Sequence, residues 1–186
     1  ETIITGIGQG FLLVTPLQLA VATAVLANRG RLVRPRLLRG IENPRTGVMA
    51  RPAKKRSKSI RAADSPDFEM IVEDMVAVLH GSRGTARASG RNSPYRMAGK
   101  TGTAQVIGIP PGSEHDPAEV PEKLRDHALF IAFAPAENPQ IALAIIVENA
   151  GSGSRTAAPI ARKIMDYYFI ERLRRAALSG RSRVFG

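Results

Sequence analysis

The chain has 186 residues, 44% of them hydrophobic, and this size and composition predict one ordinary globular core. It contains no cysteine, which excludes disulfide bonds, thiol catalysis and cysteine-bound zinc. The net charge of +11 permits an acidic partner, but with three tyrosines, six phenylalanines and no tryptophan the chain lacks a base-stacking surface, so we expect no nucleic-acid partner.

The positive charge is concentrated in residues 29–61. This stretch holds 12 of the 27 lysines and arginines but only one of the 16 acidic residues, Glu42. Its prolines and glycines predict turns and short strands. A solvated basic connector is the simpler interpretation. The alternative is a docking surface for an acidic partner, such as anionic lipid headgroups or an acidic polymer.

The first predicted helix begins after Thr15. Thr15-Pro16-Leu17-Gln18 combines a capping box with proline at the first helical position, and the helix is expected to run to about Asn28. Glycines at positions 6, 8 and 10 precede this helix. Their spacing departs from the nucleotide-binding fingerprint, so we interpret them as a turn.

Two further helices are predicted from capping signals and apolar periodicity. The second begins at Ser65-Pro66 and is stopped by Gly81. The third begins near Ala158-Pro159 and is expected to run to about Arg175. The basic tail that follows, residues 176–186, is predicted to be disordered.

Three strands are predicted between the second and third helices, at residues 95–106, 127–134 and 140–148. The last two are almost entirely apolar, which predicts a sheet covered on both faces. The five residues between them suit an antiparallel hairpin. Together these elements predict an α+β fold in which helices flank both faces of an antiparallel sheet.

Residues 107–126 form an unusually long connection with four prolines. Loops of this length inside a compact domain are usually functional or disordered, so a lid over the preceding strand and a mobile loop are both open interpretations. This loop also contains three adjacent residues of metal-binding type, Glu114, His115 and Asp116. Side chains of adjacent loop residues rarely converge on one ion, so no metal site is predicted. His127 starts a predicted strand, and we interpret it as a structural histidine despite its neighbour Asp126.

The clearest chemical motif is Lys100-Thr101-Gly102-Thr103. A Lys-Thr-Gly triplet is the last of three motifs that build a serine acyl-transfer site in penicillin-binding proteins and class A β-lactamases. No serine of the chain is followed by lysine three positions on or by asparagine two positions on, so the other two motifs are missing. The nucleophile is therefore expected outside these 186 residues.

The residue types of this motif suit acyl transfer on an extended peptide. An edge strand offers N–H and C=O groups to which a substrate adds as a further strand. Lys100 supplies positive charge for a carboxylate, and Gly102 removes a side chain where backbone and ligand approach closely. We predict catalytic roles for Lys100, Thr101, Gly102 and Thr103, and substrate contacts for Lys100, Thr101, Thr103, Ala104 and Gln105.

Six segments together resemble class B penicillin-binding proteins of the elongation-specific group, penicillin-binding protein 2. The match runs from about Gly6 to Tyr168. Its segments are Gly6-Ile7-Gly8-Gln9-Gly10, Thr15-Pro16-Leu17-Gln18, Gly99-Lys100-Thr101-Gly102-Thr103-Ala104-Gln105, Arg125-Asp126-His127, Phe133-Ala134-Pro135 and Asn138-Pro139-Gln140.

This resemblance implies a D,D-transpeptidase that is anchored in the bacterial inner membrane and acts on its periplasmic face. Such an enzyme cross-links peptidoglycan stem peptides during cell elongation, is bound by β-lactam antibiotics, needs no cofactor and works with other membrane proteins of the elongation machinery. The resemblance also implies a penicillin-binding protein and serine β-lactamase-like fold, of which residues 1–175 form the C-terminal portion. By family analogy, the N–H of Thr103 is one of two oxyanion donors, and the general base is the lysine of the missing nucleophile motif.

Two alternatives remain open at this point. A serine β-lactamase or a penicillin-sensing domain shares the same site architecture, and the sequence upstream would decide between them and a transpeptidase. A non-enzymatic module that docks through residues 29–61 would keep its affinity when Lys100 is replaced and lose it steeply with salt. On the acyl-transfer hypothesis, the isolated chain lacks the nucleophile and is predicted to be inactive.

Overall fold

The structure is a computed structural model that describes residues 6, 13–52, 59–60, 65–106, 120–171 and 174. The predicted tail at residues 176–186 lies outside the described residues, and so do the glycines at positions 8 and 10. Of the long connection predicted at residues 107–126, only residues 120–126 are described, with a short 3-10 turn at Glu122–Leu124.

Helix α1, Pro16–Ala27, begins where the capping box predicted. The N–H of Gln18 donates to Oγ1 of Thr15 at 3.2 Å, and the N–H of Thr15 donates to Oε1 of Gln18 at 2.8 Å. Two backbone donors that the helix leaves unpaired are thus satisfied reciprocally. Asn28 caps the end of the helix, and its N–H still bonds to the carbonyl of Ala24.

Helix α2, Pro66–His80, also matches its prediction, with Ser65 as its cap. A four-residue helix α3, Arg87–Gly90, was not predicted, because one turn is too short for apolar periodicity to show. Helix α4, Ala158–Asp166, starts at its predicted position and continues into a π-helical turn, while its predicted end at about Arg175 lies outside the described residues. Wider π-helical turns flank it at Gly153–Ala157 and Tyr167–Glu171. None of the helices in the described part of the chain combines the length and apolar character needed to cross a bilayer.

Residues 29–61 include a short antiparallel hairpin of β1, Ile41–Glu42, and β2, Met49–Ala50. All four strand residues are exposed. The prediction of turns and short strands in this basic stretch is therefore confirmed for its described residues, which exclude 53–58 and 61.

The main sheet has three antiparallel strands in the order β3-β4-β5. They span Ala98–Ala104, His127–Ala134 and Ile141–Val147. Their register pairs Lys100 with Ile131, and Ala128 with Val147. The hairpin between β4 and β5 is confirmed, whereas β3 begins three residues later than predicted.

Apolar side chains cover both faces of this sheet. One buried cluster joins alternate residues of β4, among them Phe130 and Ala132, to Ala161 and Met165 of α4. On the opposite face, Phe133 packs with residues of α1 and α2, among them Ala27, Val72, Met75 and Val76. The predicted α+β sandwich is confirmed, and among the described residues β3 lies at one edge of the sheet.

Candidate active site

The predicted site residues Lys100–Ala104 lie together on strand β3, and Gln105 follows its last residue. Lys100, Thr103 and Gln105 are exposed, while the residues between them are partly buried. Within the described residues, β3 pairs with β4 alone, so its other side is an edge of the sheet. The strand therefore presents its motif at a sheet margin, as the sequence predicted.

The backbone polar groups of Thr101 and Thr103 are directed to that outer edge. The N–H of Met97, just before β3, donates to Nε2 of His80 at 3.0 Å and not to β4. Because N–H and C=O groups of successive strand residues point in opposite directions, Gly99, Thr101 and Thr103 share the orientation of Met97. The backbone groups of these residues thus face the side opposite β4.

The Lys100 ammonium lies against its own strand. Its Nζ donates to the carbonyl oxygen of Thr101 at 2.7 Å, and the side chain is exposed. An ammonium group has three donors, so this bond leaves two for other acceptors. The site therefore carries a positive charge at the middle of the edge strand.

Thr85 is a neighbour of the motif that the sequence analysis missed. Its Oγ1 lies 3.3 Å from Oγ1 of Thr101, within hydrogen-bond distance. Thr85 is exposed and stands in the turn between α2 and α3, sixteen residues before its partner. No periodicity or motif in the sequence marks this contact, because the fold of the intervening turn creates it.

Gly102 is packed from two directions. A Cβ added to Gly102 would lie 3.2 Å from Cβ of Leu129 on β4. From the other face Gly153, in the turn before α4, approaches so closely that its own Cβ would lie 3.1 Å from the Gly102 nitrogen, and closer still to the carbonyl oxygens of Gly102 and Leu129. Backbone atoms thus exclude a side chain at Gly153, whereas at Gly102 a Cβ would be in tight contact with the one side chain of Leu129.

A network of charged groups lies behind the start of β3. Arg162 of α4 donates from Nε to both carboxylate oxygens of Asp166 at 2.8 Å, and Asp166 also accepts the hydroxyl of Tyr95 at 2.6 Å. Burial and the hydrogen bond to Asp166 raise the pKa of Tyr95 above its ordinary value. This network joins α4 to the segment that leads into the motif strand.

The structure confirms that His127 has a structural role. Its Nδ1 accepts the N–H of Asn149 at 3.0 Å, which ties the start of β4 to the end of β5. Within the described residues, no group of three or more histidine and acidic side chains is placed to hold a metal ion. The cluster Glu114, His115 and Asp116 lies outside those residues.

Comparison with known proteins decides the family of this chain. Residues 1–166 match the model described as the penicillin binding protein transpeptidase domain. The chain belongs to the penicillin-binding protein transpeptidase family. An edge strand that carries Lys-Thr-Gly is what the sequence led us to expect of this family.

Individual relatives point to the elongation-type group of penicillin-binding proteins. The chain is 40% identical to the peptidoglycan D,D-transpeptidase MrdA of Haemophilus influenzae over 175 residues, which are 93% of this chain and 26% of the relative. It is similar to Pseudomonas aeruginosa PBP2 in complex with WCK 5153, with 42% identity, a TM-score of 0.73, and coverage of 91% of this chain and 34% of that one. It is also similar to Helicobacter pylori PBP2 in complex with MreC, with 30% identity, a TM-score of 0.68, and coverage of 90% and 27%.

These comparisons confirm the fold and the resemblance to penicillin-binding protein 2. The chain spans only about a quarter to a third of the length of these relatives. The activity, substrates and partners of the whole protein are therefore proposals.

Proposed function

We propose that this chain forms one wall of the active site of an elongation-type peptidoglycan D,D-transpeptidase. The observation that carries the proposal is the exposed Lys100 and Thr103 on an edge strand in a chain of the penicillin-binding protein family. The chain has no Ser-x-x-Lys sequence, so the nucleophilic serine belongs to a part of the protein outside these 186 residues. The proposal assigns to this protein the D,D-transpeptidase activity that the name of its MrdA relative states.

In this function the stem peptide docks along the outer edge of β3 as an additional strand. Lys100 attracts the terminal carboxylate of the peptide, and the hydroxyls of Thr101 and Thr103 donate to it. Ala104 and Gln105 extend the docking surface along the strand. Acyl transfer then begins when the serine oxygen attacks the peptide carbonyl and the carbonyl oxygen takes up negative charge.

The N–H of Thr103 is assigned to that oxyanion. The orientation of the backbone at Met97 supports this role, because by alternation the Thr103 N–H is directed to the outer edge. The second donor is the N–H of the serine itself. The amine leaves, an acyl-enzyme remains, and a second amine resolves it. A β-lactam is attacked by the same serine, whose oxygen forms an ester with the lactam carbonyl as the ring C–N bond breaks, and the ring nitrogen stays attached to the acyl group.

The partners and location follow from the same proposal. They are peptidoglycan stem peptides, β-lactam antibiotics and membrane proteins of the elongation machinery, the last supported by the complex of Helicobacter pylori PBP2 with MreC. The site is on the periplasmic face of the bacterial inner membrane. No cofactor takes part in the proposed chemistry.

The test is covalent labelling of the full-length protein by a fluorescent penicillin. Wild type is expected to gain one adduct on a serine outside these 186 residues. Lys100→Ala is expected to slow labelling by about 100-fold or more, because charge stabilisation in such sites is worth several kcal/mol. Lys163→Ala, which removes an exposed lysine of α4, is the matched control and keeps the wild-type rate. A wild-type protein that forms no adduct would refute the proposal.

A further inference from the structure

The start of strand β3 is held by a histidine that has no part in the proposed chemistry. His80 is the last residue of α2, and its Nε2 accepts the N–H of Met97 at 3.0 Å. Met97 is completely buried and precedes β3 by one residue. Lys100 follows only three residues later. His80 thus connects the end of α2 to the point from which the motif strand runs.

This hydrogen bond requires a neutral imidazole. Nε2 can accept only when it carries no proton, so the ring proton must be on Nδ1. Protonation of Nε2 would place two N–H groups face to face and break the contact. His80 as a whole residue is exposed and its imidazole is only partly buried, so protons from solvent reach the ring without unfolding.

The surroundings of His80 favour the neutral form. Partial burial lowers the pKa of the imidazole below its ordinary value, and the positive charges of Arg96 and Arg162 lower it further. Glu137, from the turn between β4 and β5, raises it, and the carbonyl end of α2 also favours a cation. The net direction is downward, so at neutral pH His80 is ready to accept the Met97 N–H.

We propose that His80 is a positioning residue for the Lys-Thr-Gly strand. The neutral ring of His80 holds the strand in place, and protonation of the ring releases it. This inference rests on the proposed function, because the consequence is measured as acyl transfer. When His80 is neutral, β3 starts at a fixed distance from α2, and Lys100 and Thr103 stand where the reaction needs them. When His80 is protonated, the Met97 N–H loses its acceptor and the strand loses this restraint.

The test compares three variants of the full-length protein between about pH 5 and pH 8, the range in which histidine titrates. The measured quantity is the second-order rate constant for acylation by a fluorescent penicillin. His80→Gln keeps an acceptor at the position of Nε2 but does not titrate. His80→Leu removes the acceptor. His127→Asn is the matched control, because it replaces a histidine that accepts a backbone N–H through Nδ1 on the neighbouring strand.

At pH 7.5 or so, we expect His80→Gln to stay within about twofold of wild type and His80→Leu to fall by about 10-fold or more, since small displacements in active sites cost up to about 100-fold in rate. Below about pH 6.5, the rate of His80→Gln relative to wild type rises, because only wild type loses the hydrogen bond. Groups that titrate in both proteins cancel in this ratio. His127→Asn shows no such rise.

Two results would overturn the proposal. If the ratio of His80→Gln to wild type does not change with pH, protonation of His80 does not release the strand. If His80→Leu acylates as fast as wild type, His80 does not position it.

A second measurement separates this proposal from the proposed function. Hydrogen exchange of the Met97 amide, followed in wild type and in His80→Gln, reports the hold on β3 directly. We expect exchange in wild type to accelerate at acid pH relative to the variant, even if no penicillin adduct forms. Equal exchange in the two proteins would refute the proposal whether or not His80→Leu folds.

Discussion

Gly153 rests directly on the backbone of Gly102, so that the turn before α4 has no room for a side chain against the motif strand. The two residues are far apart in sequence but are pressed together where β3 and β4 pair. The position of the motif strand is therefore fixed by a turn that has no part in the proposed reaction.

Gly153→Ala is expected to push β3 outward and slow penicillin acylation of the full-length protein by about 10-fold to 100-fold. Overpacking of this kind also costs about 1–3 kcal/mol of stability. Labelling kinetics and a denaturant titration measure the two effects. Arg155→Ala, an exposed change in the same turn, is the control and is expected to alter neither. Wild-type acylation by Gly153→Ala would show that the turn does not set the strand position.

Arg162→Ala is expected to lower the free energy of unfolding by about 3 kcal/mol. Besides its ion pair with Asp166, this guanidinium donates to the carbonyls of Ser89 and Arg91, both at 3.0 Å, and its side chain is only 17% exposed. Arg162→Lys should recover little, because an ammonium cannot reproduce the planar fork. Denaturant titration gives both values.

The comparison for Arg162 is Arg96→Ala, which breaks contacts to Glu73 and Glu137. All three side chains are about half exposed, so the expected loss is below about 1 kcal/mol and shrinks with added salt. Equal losses for Arg96→Ala and Arg162→Ala would contradict the argument from burial.

The stability contributed by the Tyr95 hydroxyl is expected to disappear in alkali. Because the folded state raises the pKa of Tyr95, its contribution is complete below about pH 10, the ordinary value, and is lost as the pH rises toward the folded value. Tyr95→Phe should therefore be less stable than wild type at pH 7 by about 1.5–3 kcal/mol, the value of a hydrogen bond to a charged group. The difference should narrow above pH 10 by at most about 1.4 kcal/mol per pH unit. A difference that stays constant with pH, in denaturant titrations of the two proteins, would argue against this linkage.

Local signals in the sequence were enough to place much of the fold. The start of α1 was predictable because the side chains of Thr15 and Gln18 accept each other's backbone N–H within one turn. Strand β4 matched its apolar run from end to end, since a strand covered on both faces needs apolar residues at every position. The motif on β3 was predictable because its residues are consecutive, so that the Lys-Thr-Gly pattern is visible in the sequence itself.

The remaining differences come from contacts between distant parts of the chain. Strand β3 starts later than predicted, and the residues before it make contacts that the sequence does not mark: Tyr95 bonds to Asp166, and the Met97 N–H donates to His80. The contacts of Thr85 with Thr101, and of Gly153 with Gly102, exist only after the chain has folded. No local pattern reports such contacts, so the supports of the site had to be read from the structure.

Strand β4 is paired on both sides, whereas β3 and β5 each have one partner among the described residues. Because neighbouring strands lie about 5 Å apart, the distance from β3 to β5 across β4 is about 10 Å. A strand that added to β5 would extend the sheet without approaching Lys100. A strand added at β5 and a ligand bound at β3 would therefore occupy opposite margins of one sheet, with β4 between them.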